Sequence, residues 1–292
     1  PRERARRRGR NTLPIQMCGV VPDGTGRARA VTREGAMINH HRYPLDNMLA
    51  REAIVDAGRR QLRAEGFAML PDFLTAETAN RMAEEALATL PRSYRRDRML
   101  GAYGRDATPD MAADHPLRRR HPYCMHVTAM DLLSPDGLIR SLYDRDDLTE
   151  LVADLLEEPQ LYRCADPLLS CTVTIMGEGD QHGWHFDSND FVVTLLLQKP
   201  EQGGEFEFCP GIRTDENENY AGVAAVMDGI APGIRRPKVE TGTLMLFRGK
   251  HSIHRVTPVV GARKRIIAIF SYDRAPRMLF SERTRLQAVG RV

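Results

Sequence analysis

Residues 181–198 read Gln-His-Gly-Trp-His-Phe-Asp-Ser-Asn-Asp-Phe-Val-Val-Thr-Leu-Leu-Leu-Gln. From Phe191 onward this is a short apolar run with two adjacent valines and a threonine, preceded by an Asp-Ser-Asn-Asp turn signal and followed by Lys199-Pro200. Length, β-branching and flanking breakers together mark a buried strand rather than a helix. Six more segments share the pattern: 170–176, 205–208, 222–227, 243–247, 251–256 and 264–272 are short, rich in Val, Ile, Thr and Phe, and separated by Gly, Pro or Asp-Asn clusters. Strands at that spacing predict a sandwich or barrel.

Upstream the period changes to that of helices. Met48, Leu49, Ile54, Val55 and Leu62 predict an amphipathic helix ending near Gly66, followed by a short strand at 67–70. Thr75 is an N-cap candidate for a second helix carrying Met82, Ala86 and Leu90. Leu148, Leu151, Val152 and Leu155 predict a third over 147–158, stopped by Pro159. Residues 91–127 are basic and rich in turn formers, and are expected to be a solvated loop. Residues 1–36 combine Arg, Gly and Pro without periodicity and are expected to be a poorly ordered tail. The expected architecture is therefore mainly β with N-terminal helices: one domain over 37–292, with helical support at 46–160 and a β core at 161–275.

Charge narrows the function. The first ten residues hold six arginines and one glutamate, so the remaining chain must total −2 for the net +3 of the whole. A slightly acidic body does not offer the basic face that nucleic-acid binding requires. The longest apolar runs, 191–197 and 266–270, are far shorter than the roughly 20 residues that span a bilayer. Five cysteines without a Cys-x-x-Cys pair fit free thiols in a reducing cytoplasm. No P-loop, dinucleotide fingerprint or Gly-x-Ser-x-Gly elbow is present.

The chemistry concentrates in the opening stretch. In extended backbone, side chains at i and i+2 share a face, so His185 and Asp187 can aim an imidazole nitrogen and a carboxylate oxygen at one point. His254, in His251-Ser-Ile-His-Arg-Val-Thr-Pro258, is the candidate third ligand. Two histidines and one carboxylate form the facial set of non-haem Fe(II) oxygenases and leave positions open for co-substrate and oxygen. A His-x-Asp alone is weak; the late histidine and a cationic strand behind it strengthen the pattern. Arg265, or Arg263 on the same strand face as a fallback, offers a guanidinium suited to the distal carboxylate of 2-oxoglutarate. Strand alternation favours Arg265, because Ile267, Ile269 and Ser271 then share its inward face. His182 is balanced between a role beside the metal and plain exposure; Trp184 alternates away from His185 and is expected to pack.

The segments Trp184-His-Phe-Asp-Ser-Asn-Asp-Phe-Val-Val-Thr-Leu-Leu-Leu-Gln198, Gly203-Gly-Glu-Phe-Glu-Phe208, the stretch 242–261 and Arg265-Ile-Ile-Ala-Ile-Phe-Ser-Tyr-Asp273 resemble the Fe(II)/2-oxoglutarate oxygenase superfamily, with its double-stranded β-helix core, also called a jelly roll. Within it the chain is most similar to the branch of free-amino-acid halogenases and their hydroxylase relatives, over about residues 46–272. The resemblance implies iron held by His185, Asp187 and His254, 2-oxoglutarate held by Arg265, oxygen as oxidant, and ascorbate as a stimulant. It also implies amino-acid contacts from His182 and Ser188, and a substrate-carboxylate arginine supplied by Arg118, Arg119 or Arg120. Halogenases of that branch carry a small residue where this chain has Asp187; a carboxylate there blocks halide and favours hydroxylation, desaturation or ring closure. The expected partner is a small amino-acid-like substrate, with no nucleic acid and no membrane. A peptide or protein hydroxylase on the same scaffold, and a non-catalytic binding barrel, remain the alternatives.

Overall fold

The computed structural model describes residues 37–292. Helix α1 (Met48–Glu65) starts where the Asn47 side chain accepts the Ala50 N–H and ends at Gly66, whose φ of 80° is the left-handed conformation that a β-carbon disfavours. Strand β1 (Phe67–Leu70) leads to α2 (Ala76–Ala88), capped by Thr75. Then come β2 (Tyr94–Gly101), β3 (Arg120–Thr128), α3 (Leu138–Tyr143), α4 (Asp146–Leu156) and β4 (Tyr162–Arg163). The second half supplies β5 (Cys171–Met176), β6 (Gln181–His185), β7 (Val192–Gln198), β8 (Gln202–Gly203), β9 (Phe206–Cys209) and α5 (Tyr220–Met227). It continues through β10 (Leu244–Phe247), β11 (Ile253–Val256), β12 (Val259–Val260), β13 (Arg265–Phe270) and β14 (Tyr272–Asp273) to α6 (Glu282–Val289).

Ten strands form one curled antiparallel sheet in the order β1-β10-β7-β13-β5-β3-β6-β11-β9, with β2 paired to β3. This is the jelly-roll core. Alternation assigns its two faces. Ile266, Ala268 and Phe270 of β13, Val173 and Ile175 of β5, and Leu244 and Leu246 of β10 bury themselves against α1 to α4 in the largest apolar cluster. Their neighbours in sequence, Arg265, Ile267, Ile269, Thr174, Met176, Met245 and Phe247, turn the other way and line an interior cavity. A one-residue slip in any of these strands would exchange the two sets, so burial on both faces fixes the register. Fully burying each Leu, Ile or Phe contributes on the order of 2 kcal/mol, enough to hold the cavity walls rigid. Helices α1 and α4 approach closely at Gly58, where an added β-carbon would overlap Leu155, and Arg51 bridges them to Asp154 at 2.7 Å.

Two expectations need correction. Segment 222–227 is not a strand but most of α5: Asn219 accepts the Gly222 N–H as an N-cap, and Val223 and Val226, a helical i,i+3 pair, are the buried residues. The basic stretch 91–127 is not simply a loop. Strands β2 and β3 pair over eight positions from Tyr94↔Val127 to Gly101↔Arg120, so the large sheet draws β1, β2 and β3 from the region read as helical support. The Arg-rich tail lies outside the described residues. Among those described, no helix is long and apolar enough to cross a membrane.

Candidate active site

His185 is the last residue of β6, and His254 sits directly opposite it on β11 as its cross-strand partner. The pairing then shifts register between His254 and Val256, a bulge of the kind that re-aims side chains at functional sites. The two imidazole centroids are 4.0 Å apart. Asp187 follows β6 by two residues, tied by its N–H to the Gly249 carbonyl at 3.2 Å. One ligand atom from each of the three residues lies within 4.8 Å of the others.

Protonation at this cluster follows from its hydrogen bonds. Nδ1 of His185 donates to the Gly183 carbonyl at 2.8 Å, and Nδ1 of His254 to the Ser252 carbonyl at 2.9 Å. Carbonyls only accept, so each Nδ1 carries the proton and each Nε2 presents a lone pair to the cluster. Burial drives His185 well below the usual imidazole range, reinforced by His182 and His254, which keeps it neutral. Oδ2 of Asp187 lies 3.0 Å from His254 Nε2, yet it is buried without a hydrogen-bond partner. Three lone-pair donors aimed at one point with no proton between them are costly unless a cation sits there, which is the requirement a divalent metal meets. The chain also makes room for the carboxylate: a β-carbon on Gly249 would overlap Asp187 Oδ2 and approach Val192 Cγ2.

The inner cavity beside these donors has a volume of about 100 Å³ and walls largely of Val192, Phe206, Met245, Phe247, Ile267 and Ile269. Arg265 enters it from β13, only 4% exposed. Its Nε donates to the Gly204 carbonyl at 2.9 Å, and no carboxylate among the described residues pairs with it. Burial alone lowers its pKa to about 10, still cationic at neutral pH. Arg263 lies exposed in the turn ahead of β13, outside the cavity, which removes the fallback position.

A second, outer cavity of about 180 Å³ shares Thr174, His182, Asp187, Val192 and Ile269 with the inner one. His182 stacks on His185 with ring centroids 3.8 Å apart, and burial lowers its pKa well below normal. Ser188 lines this outer cavity. Trp184 packs, 2% exposed, beneath the Arg255 guanidinium.

Arg118, Arg119 and Arg120 do not reach either cavity. Arg118 clasps the carbonyls of Thr108, Pro109 and Met111; Arg119 pairs with Asp228 at 2.6 Å; Arg120 pairs with Asp106 at 2.9 Å. The cation that does line the outer cavity is Arg96 of β2. Its Nε is buried without a hydrogen-bond partner, its guanidinium lies 5.2 Å from the Tyr123 ring centroid, and burial lowers its pKa. The signal that could have found it is Tyr123-x-Met125-x-Val127, an apolar alternation that predicts a strand and sets Met125 opposite Arg96.

Residues 50–282 match the model of a family described as Halogenase D. No curated protein matches the chain. Among solved structures the chain is similar to a 2OG-Fe(II) oxygenase family oxidoreductase from Burkholderia pseudomallei, at 18% identity over 77% of this chain and 94% of that one, TM-score 0.50. It is similar to AviO1 from Streptomyces viridochromogenes Tue57, at 17% identity over 78% and 97%, TM-score 0.51. It is also similar to the epimerase SnoN in complex with Fe3+, alpha ketoglutarate and nogalamycin RO, at 16% identity over 76% and 84%, TM-score 0.50. These likenesses are of fold.

Proposed function

The chain belongs to the Halogenase D family of Fe(II)/2-oxoglutarate oxygenases, and on that premise we propose that it oxidises a C–H bond of a small amino-acid-like substrate, by hydroxylation, desaturation or ring closure. Residues 37–292 would act as one oxygenase domain. The observation that carries the reading is the trio of His185, Asp187 and His254, three lone-pair donors converging with one carboxylate oxygen left unpartnered. Iron held there would supply the activation of oxygen that an unreactive C–H bond needs, with 2-oxoglutarate converted to succinate and carbon dioxide.

The protein's own residues supply the rest. Arg265, cationic and without an acid partner, would bind the distal carboxylate of 2-oxoglutarate. Arg96, equally unpaired, would anchor the substrate carboxylate in the outer cavity and so orient the target carbon toward the metal, in place of Arg118, Arg119 and Arg120. His182 and Ser188, which line the same outer cavity, would contact the substrate there. The apolar inner walls exclude bulk water. An outer cavity of only about 180 Å³ suits a free amino acid better than a peptide. The free thiols Cys124, Cys164, Cys171 and Cys209 fit a reducing cytoplasm.

The test is succinate release from purified protein with Fe(II), ascorbate and a panel of free amino acids, with product masses read for gain of one oxygen or loss of two hydrogens. Asp187→Ala and His254→Ala are expected to abolish turnover. Equal turnover in those variants would remove the metal from the mechanism. A chlorinated product from the native chain in chloride buffer would overturn the role given to Asp187.

A further inference from the structure

The family match ends at residue 282, yet the outer cavity is completed by residues beyond it. Thr284 and Ala288, one helical turn apart on α6, line that cavity together with Phe280, and none of the three lines the inner one. Helix α6 is held on the barrel by a built anchor. Asp166, 1% exposed, accepts the N–H groups of Leu168 and Leu169 through Oδ1, and through Oδ2 accepts the Phe280 N–H at 3.0 Å and Arg285 Nε at 2.8 Å. Val289 is buried with Tyr123, Met125 and Val127, and the close approach at Gly290, where a β-carbon would overlap the Tyr94 ring, brings the helix end onto β2.

The chemistry of this cavity is one-sided. Among the described residues, Arg96 is its only Arg or Lys, and Asp187, which belongs to the His185, Asp187 and His254 cluster, is its only acid. The remaining wall is mostly apolar, with Met125, Leu169, Phe270, Phe280 and Ala288 among its members. A volume of about 180 Å³ is near the roughly 150 Å³ of an apolar cavity that admits benzene. Such a space takes a body of about six carbons. The α-ammonium has the Ser188 hydroxyl and the Asn189 amide oxygen of the lining to donate to, whereas a further cation carried along the body would face the apolar wall with no acid to pair it.

We propose that α6 is the specificity wall of the substrate site: through Ala288 and Thr284 it sets the length of the substrate's body and restricts it to an uncharged aliphatic one, excluding basic amino acids. This rests on the amino-acid reading above and deepens it. A few added carbons against a hydrophobic wall change selectivity by 10-fold or more, so Ala288→Leu should exclude the longer substrates first, whereas Thr284→Val, of the same shape, should change affinity without changing fold. Ala288→Glu would give the wall an acid and should move preference toward lysine.

The experiment is anaerobic calorimetry of the holo protein, loaded with Fe(II) and 2-oxoglutarate, against leucine, norleucine and lysine, repeated on the α6 variants. Melting temperature and 2-oxoglutarate affinity serve as fold controls. Leucine and norleucine are expected to bind at least 10-fold tighter than lysine, with norleucine weakened 10-fold or more in Ala288→Leu and lysine gaining in Ala288→Glu. Lysine binding as tightly as leucine in the native chain, or α6 variants that leave every affinity unchanged, would overturn the wall assignment while the amino-acid reading stands. Binding of 2-oxoglutarate with no amino acid bound at all would bring down that reading, and this inference with it.

Discussion

Replacing Arg265 with methionine should make the metal-free protein more stable and deprive it of its co-substrate. The guanidinium is buried, and its only hydrogen bond among the described residues goes from Nε to the Gly204 carbonyl. Lowering its pKa from 12.5 to about 10 corresponds to roughly 3 kcal/mol against the cation. Methionine fills a similar volume without that penalty, at the loss of one neutral carbonyl partner worth about 1 kcal/mol. The net is a gain of about 2 kcal/mol, or roughly 4 °C in melting temperature for a domain of this size. Below pH 9 the arginine is protonated in both folded and unfolded chains, so the gain should be flat across neutral pH.

The same change should remove 2-oxoglutarate binding. Two charge-assisted hydrogen bonds of about 1.5–3 kcal/mol each correspond to a rise in dissociation constant of roughly a hundredfold or more. Saturating 2-oxoglutarate should raise the native chain's melting temperature, since ligand at 100 times its dissociation constant adds about 2.7 kcal/mol, and should leave Arg265→Met unmoved. Differential scanning calorimetry in chelator, then with Mn(II) and 2-oxoglutarate, reads both effects. A variant that melts lower than the native chain and still responds to 2-oxoglutarate would refute the reasoning on both counts.

Three more expectations follow from the geometry. Gly249→Ala places a β-carbon on the Asp187 carboxylate and should weaken Co(II) or Mn(II) binding by about 10- to 100-fold, read by titration without turnover; unchanged affinity would mean the carboxylate is not a ligand. Arg96→Leu should raise the KM for the amino acid by about 10-fold or more while leaving 2-oxoglutarate affinity alone, and a matching loss for both would show that Arg96 serves the fold and not the substrate. Burial opposes the Asp166 charge, but its backbone hydrogen bonds and Arg285 outweigh that and hold its pKa below the usual carboxylate range. A folded-state pKa that is depressed contributes stability above about pH 4 that is lost as pH falls through it, so hydrogen exchange in 282–292 should accelerate there, and Asp166→Asn should abolish that pH dependence.

What the chain discloses depends on how local the determining physics is. Strands β5, β7, β10 and β13 are legible because burial on both faces leaves apolar or β-branched residues at nearly every position and breakers at the ends. Helix α1 is legible because its cap and its left-handed stop are encoded by neighbouring residues. Segment 222–227 misleads because its two valines fit a strand as well as a helix face, and what decides is an Asn219 cap just upstream. Strand β2 is hidden because Tyr-Arg-Arg-Asp-Arg has no hydrophobic alternation at all; its pairing is dictated by β3. Within the site, a ligand pair two residues apart can be read directly. The state of an arginine cannot, because Arg118 to Arg120 are silenced by Asp106, Asp228 and loop carbonyls that only the fold brings to them.

That contrast bears on how the site came to be selective for anions. Arginines paired at the surface contribute little and leave no field behind. The two that face the cavities are the ones left without acids, each at a cost that its pKa registers, so the fold itself gains nothing from their charge. Such a cost persists where a ligand repays it. Two cations without acid partners among the described residues, Arg265 in the inner cavity and Arg96 in the outer one, call for two anions beside the His185, Asp187 and His254 cluster. A co-substrate with a distal carboxylate at Arg265 and a substrate with its own carboxylate at Arg96 would meet that demand.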